Sequence, residues 1–147
     1  MQDLSIAEQN TLRLLLGLMI PASVEYGVPA ADDPIILADI LASLGRDANG
    51  IRAVLRDIDT QSGGTFTDMD PPARQALAVK FLAAGGPKLA ALNRVVLQCY
   101  YRDERVMKSL GMEVRPPFPR GFTVEQGDWT LLDPVRQKPK MYRDAPQ

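Results

Sequence analysis

The sequence predicts an all-α protein: a bundle of about five helices over residues 1–111, followed by an extended, proline-rich C-terminal tail over residues 112–147. Three observations predict it. Apolar residues recur at helical spacing in successive segments up to Gly111, each long enough to bury one stripe. Cap residues, prolines and glycines of the kind that open and close helices bound those segments. Beyond Gly111 neither helical nor strand periodicity persists, while six of the twelve prolines and the only tryptophan, Trp129, fall there with Phe118, Phe122 and Tyr142.

The first helix runs from about Ile6 to Met19. Leu4-Ser5-Ile6-Ala7-Glu8 has the form of a capping box, in which the Ser5 hydroxyl takes the free N–H of Glu8 and the Glu8 carboxylate reaches back. Leu12, Leu15, Leu16 and Met19 form its stripe, and Pro21 stops it, lacking a donor and clashing with the preceding turn. Residues 21–33 then read as a loop. Asp33-Pro34 is an N-cap followed by proline at the first helical position, and Gly45 is the left-handed residue past the end of a second helix carrying Ile36, Ile40, Leu41 and Leu44. Asp47 reads as the cap of a third helix that turns Ile51, Val54, Leu55 and Ile58 inward and ends at Gly63-Gly64. Asp70-Pro71 repeats the cap-plus-proline device for a fourth, with Leu77, Phe81 and Leu82 on one face before Gly85-Gly86. Pro87 opens the last long segment, to about Leu110, carrying Leu89, Leu92, Val96, Cys99 and Val106 with a break near Tyr101 to Glu104. Gly111 closes it.

A chain of 147 residues suits one domain with a sizeable core, burying about two-thirds of the surface its unfolded form exposes. Seventeen basic and eighteen acidic residues, dispersed rather than in runs, supply no electrostatic footprint for nucleic acid or an anionic membrane. The apolar run Leu14 to Ile20 imitates a signal-peptide core. Asp3 and Glu8 against a single Arg13 give it the wrong charge, no twin arginine precedes it, and seven residues cannot cross a bilayer core of ~30 Å. The expectation is a cytoplasmic protein without direct membrane insertion.

Histidine is absent, which removes the Ser-His-Asp and Cys-His nucleophile pairs and the commonest transition-metal ligand. The lone Cys99, among Val95, Val96 and Tyr100, reads as a buried thiol. Asp103 and Glu104 are adjacent, so on a helix they point about 100° apart; Arg102-Asp103-Glu104-Arg105 reads better as a charged helix start than as an acid–base pair. Glu125 and Asp128 form a poor transition-metal pair, leaving only a loose calcium site with backbone oxygens as a metal reading, and Asp133-Pro134 starts a short turn. Gly63-Gly64-Thr65 lacks the Gly-Lys-Ser/Thr ending of a phosphate loop.

The sharpest local feature is Arg115-Pro116-Pro117-Phe118-Pro119-Arg120-Gly121. Prolines hold the backbone near polyproline II, so the ribbon loses less entropy on docking than a free chain, and Arg115, Phe118, Arg120 and Trp129 are residue types that anchor interfaces. The ribbon either grips another protein or folds back over its own bundle.

Tyr100-Tyr101-Arg102-Asp103-Glu104-Arg105-Val106, Leu110-Gly111, the proline ribbon and Glu125-Gln126-Gly127-Asp128-Trp129-Thr130-Leu131-Leu132-Asp133-Pro134-Val135-Arg136 together resemble the C-terminal signature of the gluconate 2-dehydrogenase subunit 3-like family. These are small, or gamma, subunits that accompany flavin-bearing large subunits of the glucose-methanol-choline oxidoreductase type. The resemblance covers roughly residues 95–143 and rests on the helical body only through its size and helix-rich character. It implies a non-catalytic chain with no cofactor of its own, in a hetero-oligomer whose large subunit carries FAD and oxidises a sugar or alcohol. The residues implied to bind that partner are Tyr100, Tyr101, Arg105, Arg115, Pro116, Pro117, Phe118, Pro119, Arg120 and Trp129. Some family members carry a twin-arginine signal; this N-terminus departs from that pattern. The alternatives are a small acid–base enzyme using Asp103, Glu104, Glu125 or Asp128, and a helical adaptor for an unrelated protein.

Overall fold

The protein is all-α in a computed structural model that describes residues 4–116, 118–141 and 143. The helices are α1 (Ile6–Met19), α2 (Pro34–Ser43), α3 (Ala48–Gln61), α4 (Pro71–Ala84), α5 (Pro87–Arg102), α6 (Glu104–Ser109) and α7 (Asp133–Arg136), with single 3-10 turns at Gly45–Asp47, Phe66–Asp68 and Trp129–Leu132. Among the described residues the sole β feature is an isolated antiparallel bridge between Ser23 and Val28, and no helix is long and apolar enough to cross a membrane. The chain divides into two compact units, Met1–Val114 and Arg115–Gln147.

Helix starts follow the cap chemistry. Ser5 and Glu8 close the capping box of α1 in both directions, at 3.3 Å from the Glu8 N–H to Ser5 Oγ and 2.8 Å from the Ser5 N–H to Glu8 Oε2. Asp33 accepts from the Ile35 N–H and Asp70 from the Ala73 N–H, each ahead of a proline in the first turn. The long C-terminal segment breaks at Asp103, which caps α6 by accepting from the Arg105 N–H at 2.9 Å. Gly111, at φ +71, ends α6 in a Schellman arrangement: its N–H donates to Lys108 O, and that of Met112 to Met107 O, both at 3.0 Å.

Asp47 corrects the sequence reading, since it makes no side-chain cap on α3. The 3-10 turn before α3 already holds Asp47 in helical conformation, and its carboxylate instead meets Arg94 of α5 at 2.7 Å.

The core lies in the first unit. Helix α3 packs against α5 and α1, and α5 also against α2. Leu12, Leu15 and Leu16 of α1, Ile36 and Ile40 of α2, Ile51, Val54, Leu55 and Ile58 of α3, and Leu92, Val96 and Cys99 of α5 are buried together, each large aliphatic side chain contributing about 1.5–3 kcal/mol of transfer free energy. On α4, Ala78 and Phe81 are buried while Leu77 and Leu82 are only partly covered. Phe66 is fully buried too, held by its own N–H, which donates to Asp59 Oδ1 at 3.0 Å.

In the second unit no described residue is buried. It is not extended throughout: Asp128 accepts from the Thr130 N–H at 3.0 Å and hydroxyl at 2.6 Å, and the 3-10 turn this starts runs into α7 at Asp133-Pro134.

Candidate interaction surface

Two groups of the expected residues are gathered by the fold, one at the α5–α6 break and one in the second unit. At the break, Arg105 is the centre. Its guanidinium forks onto Asp33, with Nη1 and Nη2 at 3.0 and 2.8 Å, and presents Nε and Nη2 to Asp103 at 3.0 and 2.9 Å. Both carboxylates are already helix caps, so one cation bridges the caps of α2 and α6. The Arg105 hydrogen bonds hold the carboxyls of Asp33 and Asp103 below their usual range against the opposing effect of burial and push the guanidinium further up.

Tyr100, expected at a partner surface, is instead buried; its hydroxyl donates to Pro29 O at 3.0 Å, and burial pushes its pKa up. Tyr101 is about half exposed and stands edge-on to Tyr100 with ring centroids 5.5 Å apart. Arg102 lies on the other side of the break, donating to Asp39 and, at 2.6 Å, to Ser43 Oγ, and it holds the Asp39 carboxyl below its usual range. Cys99 is buried beside it, Sγ at 3.5 Å from Arg102 Nη2; burial raises the thiol pKa, the opposite of an activated nucleophile.

In the second unit Arg115 donates to Gly121 O at 2.7 Å and stacks over the Phe122 ring at 4.8 Å. Phe118 and Trp129 are 85% and 61% exposed, and Trp129 Nε1 donates to Gln126 Oε1 at 3.2 Å. Pro116, Pro119 and Arg120 are exposed. Pro117 and Tyr142 lie outside the described residues.

The four acid–base candidates each have local surroundings of their own. Asp103 is occupied by Arg105, whose hydrogen bonds lower its pKa, and Glu104 is exposed with its partner Lys108 at 3.5 Å. Glu125 is exposed, and Asp128 is engaged by Thr130, which lowers its pKa. Among the described residues no group of three or more His, Cys, Asp or Glu side chains is placed to hold a metal.

Sequence reasoning missed a cleft of about 580 Å³ where the α4–α5 turn meets α3, walled by Val54, Phe81 and Leu89, with the Lys88–Asp57 pair at 3.7 Å. None of the expected site residues lines it. Gly85-Gly86 marked the turn, but no pattern announced that α3 would leave space beside it. Comparison of the chain with models of protein families, with curated proteins and with solved structures gave no match.

Proposed function

We propose that this chain is the non-catalytic small subunit of a heteromeric FAD-dependent sugar or alcohol dehydrogenase, acting in the cytoplasm to stabilise or mature the flavin-bearing large subunit. The observation that carries a partner-binding role is the second unit: Phe118, Val124, Trp129, Leu131 and Val135 are all more than half exposed on a segment in which no described residue is buried. Isolated exposed apolar residues are ordinary, but several of them on a locally hydrogen-bonded segment without a buried described residue support reading it as an interaction surface. The flavoprotein partner comes from the resemblance of residues 95–143 to gamma subunits. The commitment of Asp103 and Asp128 to local caps favours a helper over an acid–base enzyme.

Such a subunit works by mass action. Binding only the folded large subunit raises its apparent stability as RT ln(1 + [L]/Kd), on the order of 3 kcal/mol at roughly a hundredfold excess over Kd. The test is isolation of the tagged chain from its native host, with and without residues 112–147, followed by a visible spectrum. A flavin spectrum that co-purifies only with the full chain supports the reading. Equal yield, flavin content and co-purification for both versions refutes the role of the tail, and a colourless preparation refutes the flavoprotein partner.

A further inference from the structure

Helices α4 and α5 follow one another in the chain, and each rests on α3. The turn that joins them is Gly85-Gly86, at φ +66 and +111, conformations that strain any residue with a Cβ. The cleft of about 580 Å³ lies in the corner so formed. Its floor is apolar, with Val54 from α3, Phe81 from α4 and Leu89 from α5. Along α3 it extends from Val54 to Gln61, a length of about 10 Å at 1.5 Å per residue. Ala84, Gly85 and Gly86 form one wall with no side chain larger than a methyl group, so a bound molecule can lie against the backbone there. Size and lining are those of a small-molecule site.

The rim sorts ligands by charge. Asp57 and Lys88 are the ionisable residues that line the cleft, and they face each other at 3.7 Å. An anion drawn to Lys88 also meets Asp57, and a cation drawn to Asp57 also meets Lys88, so either ion has to part the pair. Both side chains are more than half exposed, which limits that cost to about fivefold in a binding constant. An uncharged molecule leaves the pair intact and still covers the apolar floor. The Thr60 hydroxyl is committed to Arg56 O at 2.8 Å. Gln61 then supplies a neutral hydrogen-bonding group on the rim, able both to donate and to accept.

We propose that the corner of α3, α4 and α5 is a binding site for an uncharged, mainly apolar small molecule with a single hydroxyl or carbonyl end. Its apolar body covers Val54, Phe81 and Leu89, and its polar end meets Gln61. The site stands independently of the flavoprotein reading, because every residue that forms it belongs to the first unit.

The test is titration of the full chain, followed by proton–nitrogen NMR, with three probes of one shape and different charge: phenylpropanol, phenylpropionate and phenylpropylamine. Phenylpropanol is expected to shift the amides of Gly85, Gly86, Lys88 and Leu89 with a Kd of about 1 mM or tighter, within the reach of a ligand of about ten non-hydrogen atoms. The two ions should bind about two- to fivefold more weakly. Asp57→Asn releases Lys88 and should turn the preference to phenylpropionate, while Lys88→Gln should turn it to phenylpropylamine. Ala84→Trp fills the cleft from its wall and should weaken phenylpropanol by about tenfold or more. Ala83→Trp, exposed on the same helix but outside the cleft lining, should change it less than about twofold. Asp57, Ala84 and Lys88 are exposed as well, so these variants keep the fold, which circular dichroism verifies; the wild-type and charge-variant titrations decide the matter without Ala84→Trp. A wild-type chain whose cleft amides respond to none of the probes overturns the site, and so do phenylpropanol shifts that a folded Ala84→Trp chain retains in full. Tighter binding of either ion than of phenylpropanol to the wild-type chain overturns the uncharged class.

Discussion

Arg105 and Asp33, 72 residues apart in the chain, meet through a two-pronged hydrogen-bonded pair at 2.8 and 3.0 Å. The same guanidinium holds Asp103, so α6 is fastened by one cation and by Val106, the one residue of that helix that is buried. Arg105→Ala leaves two partly covered carboxylates without their cation. Since the guanidinium is 39% exposed, solvent screening keeps the expected loss near the low end for charged hydrogen bonds, about 1–2 kcal/mol. Its pH dependence has a definite sign. The folded pKa values of Asp33 and Asp103 lie below their ordinary 3.8, so the contribution is complete above that value and is lost as pH falls through the lowered folded values. Urea titrations of wild type and variant should differ by a constant amount from neutral pH down to about pH 5 and converge below about pH 4. A difference that stays constant through pH 3 refutes the electrostatic origin of the loss.

Two glycines with open space around them should respond oppositely to alanine. Gly111 closes α6 at φ +71 with nothing within 4 Å of a Cβ built on it, so Gly111→Ala strains the backbone alone and should destabilise by about 1–2 kcal/mol. Gly50 is inside α3 with the same open space and no positive φ, so Gly50→Ala should stabilise by about 0.4–1 kcal/mol by restricting the unfolded chain. Thermal melts that move in the same direction for both contradict this account.

The helix boundaries were legible because they are local. Ser5 with Glu8, Asp33 with Pro34, Asp70 with Pro71, and Gly111 each act within a few residues of themselves, so sequence spacing contains the physics. Asp47 was misread because its competing partner, Arg94, is 47 residues away, and a good cap residue is equally a good salt-bridge acceptor. Tyr100 was expected at a partner surface only through the resemblance, whereas the structure buries its ring and gives its hydroxyl to Pro29 O. The ordered turn at Trp129–Arg136 was half legible: Asp133-Pro134 announced it, whereas Asp128 looked like a carboxylate candidate for chemistry until its bonds to Thr130 were seen.

Phe66 is, with Tyr100, one of two aromatic core residues that pattern reasoning left out. It lies between Gly63-Gly64 and Asp70-Pro71, in a stretch too short to show a period, and it is fully buried. Phe66→Ala should cost about 3–5 kcal/mol. Its N–H and the hydroxyl of buried Thr11 both point to Asp59 Oδ1, at 3.0 and 3.5 Å. Asp59→Ala leaves the amide without its acceptor and should cost about 1–3 kcal/mol, while Asp59→Asn keeps an acceptor oxygen and should cost less. Equal urea midpoints for the two Asp59 variants count against a role for that oxygen.

Cys99 tests whether access or charge governs the one thiol. Its exposure is 1%, and burial raises its pKa, so both effects slow reaction with a thiol reagent. They differ in size. A one-unit pKa change alters the thiolate fraction about tenfold, whereas a local opening of even about 3 kcal/mol suppresses the reactive population more than a hundredfold. Access therefore dominates. Native protein at neutral pH should label slowly, with a rate that rises through the urea transition. Arg102→Ala separates the two effects, because the guanidinium both covers Sγ at 3.5 Å and favours the thiolate. If access governs, the variant labels faster than wild type despite losing the favourable charge; slower labelling by the variant would assign control to the charge instead.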